Sequence, residues 1–341
     1  MAVIAQELAE QYALYNADCM EVLPTLPAAS VGLSVYSPPF PELYQYSNDP
    51  RDVSNCTRYE EGVEQIGFVV REVARLTKPG RTTCVHCMDL KRGTWFQRDF
   101  PGDLIRLHEA NGFNFISRVT IWKDPWHVAK RTRLRALMHK TLVDDSAMVR
   151  TAMPDYLLFF RRAGENRESV RHPEGLREYA GSTPIPEDLW KRYRGYKGDQ
   201  RKNLLSHWIW RRYASPVWMD IRPGRLLPYK AAREKPEEKH VCPLQLDVIE
   251  RCLTLWSNPG DVVLTPFMGV GSEVYTAVAM GRRGVGIELK PSYYRQAVEN
   301  VHAAAKGEAV ADLFADPDDA EELAEAAAPA PAKRKGGRKR G

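Results

Sequence analysis

The sequence predicts a three-layer α/β protein interrupted by one inserted region, and three observations carry that expectation. Strand-like and helix-like patterns alternate from Val31 to Phe160, the alternation is lost over residues 161–240, and it resumes from Asp247 to Glu288. With 341 residues, 43% of them apolar and 27% charged, the chain can bury one large core or two smaller ones. The expected divisions are 1–160 and 241–302 as two halves of one sheet-based domain, 161–240 as the insertion and 303–341 as a tail.

Met1 to Tyr15 is amphipathic, with Glu7 and Glu10 and no basic lead, so no signal peptide is read there. No apolar run approaches the roughly 18 residues that cross a bilayer, and a cytoplasmic protein without membrane contact is expected. Asn16-Ala17-Asp18-Cys19-Met20 leads into a short helical piece stopped by Pro24 and Pro27, and Val31–Tyr36 is a strand. The polar, aromatic loop of residues 41–55 is expected to be mobile over a site. Val63, Ile66, Val70, Val73, Ala74 and Leu76 recur at helical spacing, and Lys78-Pro79-Gly80 ends that helix before a strand from Thr82 to Met88. A helix over 102–110 closes at Asn111-Gly112; strands follow over 114–122 and 155–160. Cys84-Val85-His86-Cys87 has no second ligand pair at metal spacing, so its cysteines are read as buried strand residues and no metal is expected. Six scattered cysteines make no disulfide framework and suit a reducing compartment.

The stretch Ser37-Pro38-Pro39-Phe40 closes the first strand. Two prolines remove two N–H donors, so carbonyl oxygens at the strand end have no ladder to join. With the Ser37 hydroxyl on one side and the Phe40 ring on the other, a planar heterocycle bearing an NH2 group finds a face to stack on and two oxygens to accept its hydrogens. Read alone, the same four residues are an ordinary strand-terminating turn.

A second corner lies near the other end of the chain. After a helix over 247–256 and a turn at Asn258-Pro259-Gly260, the strand over 261–265 runs into Pro266-Phe267-Met268-Gly269-Val270-Gly271-Ser272, a helix, and a strand ending at Glu288. Glycines admit a ligand to the backbone, and an acid at the second strand's tip can take both ribose hydroxyls. One Gly-x-Gly without a third glycine for a pyrophosphate favours an adenosyl-methionine over a dinucleotide.

Charge is unevenly placed. The net +5 of the whole chain includes 19 Lys/Arg against 11 Asp/Glu within 161–240, a balance that favours a polyanionic partner. There, basic residues interleave with Tyr179, Trp190, Tyr193, Trp208, Trp210, Tyr213 and Trp218, and Arg192, Arg194, Lys197, Arg211 and Arg212 are candidate DNA contacts. Some of those rings must form the segment's own core. Residues 123–150 add Arg131 and Arg133 as candidates, although a solvated helix face explains that stretch equally well. The tail is Ala-rich and acidic, then basic at its tip, and is expected to be disordered.

In this order the motifs resemble the β-class, permuted DNA amino-methyltransferases that modify cytosine N4 or adenine N6, especially the phage and prophage kind. The resemblance covers about 290 residues. It implies a Rossmann-like, S-adenosyl-L-methionine-dependent methyltransferase sheet, circularly permuted, with 161–240 as the target-recognition region and double-stranded DNA as partner. It further implies that Ser37, Pro38, Pro39 and Phe40 hold a flipped base; that Thr265, Phe267, Gly269 and Gly271 line the methyl donor; that Glu288 binds its ribose; and that Asp18 meets its adenine amino group. His240 to Leu244 resembles the segment near the methionine end. Members usually carry Asp-Pro-Phe where this chain has Thr265-Pro266-Phe267, and a hydroxyl is the weaker partner for an ammonium. The Ser-Pro-Pro-aromatic form favours cytosine N4. An RNA or protein-glutamine amino-methyltransferase, or a non-enzymatic DNA-binding relic of the fold, are the alternatives.

Overall fold

The computed structural model describes residues 3–42, 47, 49–93, 95–132, 134–233 and 243–308, without the side chains of 130–132. In chain order, β1 (Ala5–Leu8) and β2 (Tyr12–Asn16) form a hairpin, and α1 (Cys19–Val22) leads to β3 (Val31–Tyr36). α2 (Tyr59–Leu76) returns the chain to β4 (Thr77–Met88), and a small hairpin of β5 (Leu90–Arg92) and β6 (Phe96–Arg98) precedes α3 (Phe100–Ala110) and β7 (Phe113–Ile121). α4 (Pro125–Thr132) and α5 (His139–Asp144) precede β8 (Asp155–Arg162); α6 (Glu187–Tyr193), α7 (Leu204–Tyr213) and β9 (Val217–Trp218) lie in the insertion. The chain then runs through α8 (Leu246–Trp256), β10 (Val262–Thr265), α9 (Ser272–Ala279), β11 (Arg283–Glu288) and α10 (Pro291–Ala305).

Among the described residues these strands build a nine-stranded sheet in the order β1-β2-β11-β10-β3-β4-β8-β7-β9. The five strands from β2 to β4 are mutually parallel, so their carboxyl ends share one edge. Residues alternate between the faces, as a pleat requires: Tyr36, Val85 and Leu264 pack towards α2 and α3, and Val35, Cys84 and Val263 pack towards α8. α9 and α10 cover β2 through Leu14, Val274, Tyr294 and Ala297. The expected three-layer α/β architecture is thus present. The apolar stripe of α2 is buried as its spacing indicates, and Cys84 and Cys87 are fully buried in β4.

Two local expectations need correction. Lys78-Pro79-Gly80 does follow the last turn of α2, but it forms the irregular start of β4 rather than a loop, with Gly80 at φ 73° and a register shift against β3. The amphipathic stretch at the start of the chain is a hairpin of β1 and β2, and β2 is the strand beside β11.

The insertion is tied to the sheet. β9 pairs with β7, and Trp218 is 1% exposed. Arg251 of α8, wholly buried, stands 4.9 Å from the Tyr213 ring and 4.7 Å from the Trp218 ring. It donates to Asp220 Oδ1 at 2.8 Å and to the Ala180 carbonyl at 2.8 Å. Tyr213 and Trp218 are therefore core residues around a cation, while Trp190 and Trp210 remain half exposed. Arg251→Ala should cost about 3–5 kcal/mol, because it leaves the Asp220 carboxylate without its cation and empties the aromatic cage. Chemical denaturation measures the loss, and proteolysis within 176–220 should become faster.

Candidate active site

β10 and β3 are adjacent, with Leu264 opposite Ser34, yet the chain leaves them in opposite directions. From β10 it passes through α9 to β11; from β3 it passes through α2 to β4 on the other side. Such a reversal opens a crevice beyond the carboxyl ends of the two strands, where open α/β sheets take their ligands. Both sequence corners sit there. Tyr36, the last residue of β3, has its ring centroid 6.0 Å from that of Phe267.

On the β10 side, Gly269 and Gly271 have φ of 55° and 90° and shape the tight turn that admits α9. Open space lies where a Cβ on Gly269 would stand, whereas one on Gly271 would lie 3.1 Å from Ala297 Cβ. The Gly269 amide donates to Glu288 Oε2 at 2.8 Å and the Lys290 amide to Oε1 at 2.8 Å, so the carboxylate is oriented by backbone and keeps lone pairs to spare. Burial pushes the Glu288 carboxyl up to about 7, against those two amides. Next to it, Asn16 Nδ2 donates to the carbonyls of Glu288 (2.8 Å) and Leu289 (3.0 Å), locking β2 to β11. Asp18 follows two residues later and caps α1 by accepting from the Met20 amide at 2.9 Å. Phe267 packs partly buried against the core, and Thr265 is fully buried with its hydroxyl unpartnered.

Glu273, in the first turn of α9, is 5% exposed, and burial pushes its carboxyl up to about 8. A raised acid stabilises the fold fully below its unfolded value of 4.5 and loses that contribution as pH rises through 8. Glu273→Gln should therefore gain on the order of 3 kcal/mol relative to the parent between pH 5 and pH 8, read from denaturation midpoints at the two pH values.

On the β3 side, Ser37 and Pro39 are partly exposed, Pro38 is buried, and Phe40 is 8% exposed with its ring edge-on to Phe100 at 6.0 Å. Of the 41–55 loop, 43–46 and 48 fall outside the described residues. Its remainder is pinned by Asp52, which accepts from the Ser54 amide at 2.9 Å, and by Arg51, held on Asp49 at 2.7 Å.

A group not anticipated from sequence stands behind Ser37. His86 Nδ1, on β4, lies 3.2 Å from Ser37 Oγ, and its Nε2 lies 3.1 Å from Asp155 Oδ2 at the start of β8. Lys123 Nζ, just past β7, is 2.6 Å from the same oxygen. Burial would raise the Asp155 carboxyl, but the Lys123 ammonium and then the His86 ring hold it well below the ordinary carboxylate range. The available signal was an acid opening an otherwise apolar strand.

Of the candidate DNA contacts, Arg192, Arg194, Lys197 and Arg211 are exposed. Arg212 lies over the Trp208 ring at 3.5 Å and donates to the Trp208 carbonyl at 3.3 Å. Arg131 belongs to α4, its side chain outside the description; Arg133, residues 234–242 and residues 309–341 lie outside the described residues, while Leu244 is buried in the core. Among the described residues no cluster of three metal-ligating side chains occurs, and no helix is long and apolar enough to cross a membrane.

Comparison with known proteins agrees with this geometry. Type II methyltransferase M.BglII of Bacillus subtilis is 24% identical over 287 residues, 82% of this chain and 66% of its own length. Type II methyltransferase M.MthZI of Methanothermobacter thermautotrophicus is 24% identical over 281 residues, 77% of this chain and 69% of its own. The chain thus spans about two thirds of these relatives. Among solved structures, a candidate DNA modification methylase of Thermus thermophilus, complexed with S-adenosyl-L-methionine, superposes with a TM-score of 0.55 at 23% identity over 86% of this chain and 96% of that one. The cytosine-N4-specific PvuII DNA methyltransferase gives 0.54 at 16% identity, over 90% and 98%. These likenesses establish a Rossmann-like methyltransferase fold, and the DNA methylase family model matches residues 31–299. With that match covering most of its length, the chain belongs to the N6/N4 DNA methylase family.

Proposed function

We propose that this protein transfers a methyl group from S-adenosyl-L-methionine to the exocyclic amino group of a base flipped out of double-stranded DNA, cytosine N4 in preference to adenine N6. The observation that carries the reading is the meeting of the diproline corner and the glycine turn on neighbouring parallel strands. In this reading the fold is the permuted, β-class arrangement. Residues 1–160 supply the base site, 241–302 the donor site, and 161–240, with exposed Arg192, Arg194, Lys197 and Arg211, the target-recognition surface.

The donor's chemistry suits these residues: open space beside Gly269 receives an adenosine, and the oriented Glu288 carboxylate accepts the ribose hydroxyls. Asp18 keeps one carboxylate oxygen free of its helix cap for the adenine amino group. Bound there, S-adenosyl-L-methionine supplies an electrophilic methyl group on sulfur. The base amine is a poor nucleophile because its lone pair is delocalised into the ring. Ser37 Oγ and the Pro38 carbonyl accept its two hydrogens and draw the nitrogen towards tetrahedral geometry, while Phe40, braced on Phe100, fixes the ring. Flipping costs a few kcal/mol, offset by stacking and phosphate contacts.

The test is to incubate unmodified duplex DNA with labelled donor, digest it to nucleosides and identify the product by mass spectrometry. N4-methylcytosine is expected. N6-methyladenine would move the target to the other base, and label appearing only in RNA or protein would overturn the DNA reading.

A further inference from the structure

Building on that reading of Ser37, we propose that His86 and Asp155 form a proton relay behind its hydroxyl, fixing it as an acceptor and draining the proton of the methylated amine. The structure brings the three groups together from three strands: Ser37 leaves β3, His86 lies near the end of β4, and Asp155 opens β8 between β4 and β7. Val85 pairs with Tyr36, which places the next residues of both strands, His86 and Ser37, side by side. The Nδ1 to Oγ distance is 3.2 Å and the Nε2 to Asp155 Oδ2 distance is 3.1 Å, the latter within ion-pairing range but not aligned as a hydrogen bond. Catalytic contacts commonly tighten only when substrate is present.

Asp155 is 4% exposed and His86 12%, so bulk water does little to screen their interaction. A carboxylate facing Nε2 selects the imidazole tautomer that carries its proton there. Nδ1 is then an acceptor, the Ser37 proton points at it, and both remaining lone pairs of Oγ are turned towards the incoming amine. Lys123, paired with Asp155, keeps it ionised, while Ser37 and Asp155 flank the ring itself. Cys87 on β4, Asp89 just beyond it, and Arg118 and Tyr156 on β7 and β8 form the charged and titratable surroundings beyond them.

The step balances. As the nitrogen–carbon bond forms and the carbon–sulfur bond breaks, one positive charge arrives on the amine. An N–H bond of that amine breaks to make a new O–H bond on Ser37, the original Ser37 O–H breaks, and its proton bonds His86 Nδ1. The resulting imidazolium is stabilised by Asp155 and later returns its proton to solvent. His86 and Asp155 are positioning residues, since they act on the base only through Ser37.

Single-turnover methylation of duplex DNA by the full chain, at saturating donor, should be about 100-fold slower in His86→Gln, with donor and DNA dissociation constants within twofold of the parent. A rate within threefold of the parent would overturn the relay. A second readout needs no turnover: 15N-histidine NMR of the unliganded parent, with the His86 signals assigned by their loss in His86→Gln. The Nε2–H tautomer, perturbed by Asp155→Asn, supports the relay, and the Nδ1–H tautomer overturns it. If the parent binds donor but methylates no DNA base, the DNA reading falls instead, and the tautomer alone decides the relay.

Discussion

Ser37→Ala is expected to slow single-turnover methyl transfer by about 10²–10³-fold while leaving the donor dissociation constant within twofold. The magnitude follows from what the hydroxyl does. It is one of two acceptors placed for the amine, and losing an oriented group that acts on the reacting atom costs about 3–4 kcal/mol in a site sheltered from water. The separation of rate from binding follows from the fold. Ser37 stands on the β3 side of the switch point, whereas Gly269, Gly271 and Glu288 stand on the β10 and β11 side and hold one another through the Gly269 amide. Rapid quench with labelled donor measures the first quantity and calorimetry the second. Equal losses in both would mean that Ser37 supports the cleft as a whole rather than the amine. The variant should fold normally, because Ser37 is partly exposed and its hydroxyl meets the His86 ring rather than the core.

Much of this architecture is written in local patterns. The helical stripe of α2, the Gly-x-Gly turn and the acid at the tip of β11 each have a short-range physical cause, and the order of motifs along the chain placed both halves of the site. What local pattern could not convey is partnership. The interleaved cations and rings of 161–240 suit a nucleic acid, yet Tyr213 and Trp218 face Arg251, a residue of α8 outside that segment. Asn16 carries no local signal of its role, which appears only with β11 beside it, where its amide holds the carbonyls of Glu288 and Leu289. His86 is the sharpest case. Cys84-Val85-His86-Cys87 has a metal-like spacing, but Cys84 is buried on the α8 side of β4 and Cys87 on the opposite side, and the histidine, on the Cys84 face near the strand's end, lies beside Ser37. Its meaning depends on Asp155, which is 69 positions away and becomes its neighbour only because β8 pairs antiparallel with β4.

Glu288→Gln is expected to weaken donor binding about 10–100-fold, the range for losing hydrogen bonds to a charged acceptor. The pH dependence distinguishes this from simple disruption. Burial holds the free carboxyl near 7, so close to neutrality it is only partly ionised before ligand arrives. Ribose hydroxyls donate to the anion and so favour it. Donor affinity should rise as pH rises through about 7, level off above, and fall about tenfold per unit below. In Glu288→Gln no ionisation remains at that position, and the profile should be flat over the same window. Calorimetric titration of donor between pH 5.5 and 8.5 gives both curves. A parent whose affinity does not change with pH would place the ribose elsewhere, because Oε1 and Oε2, already oriented by the Lys290 and Gly269 amides, cannot bind two hydroxyls without drawing on their charge.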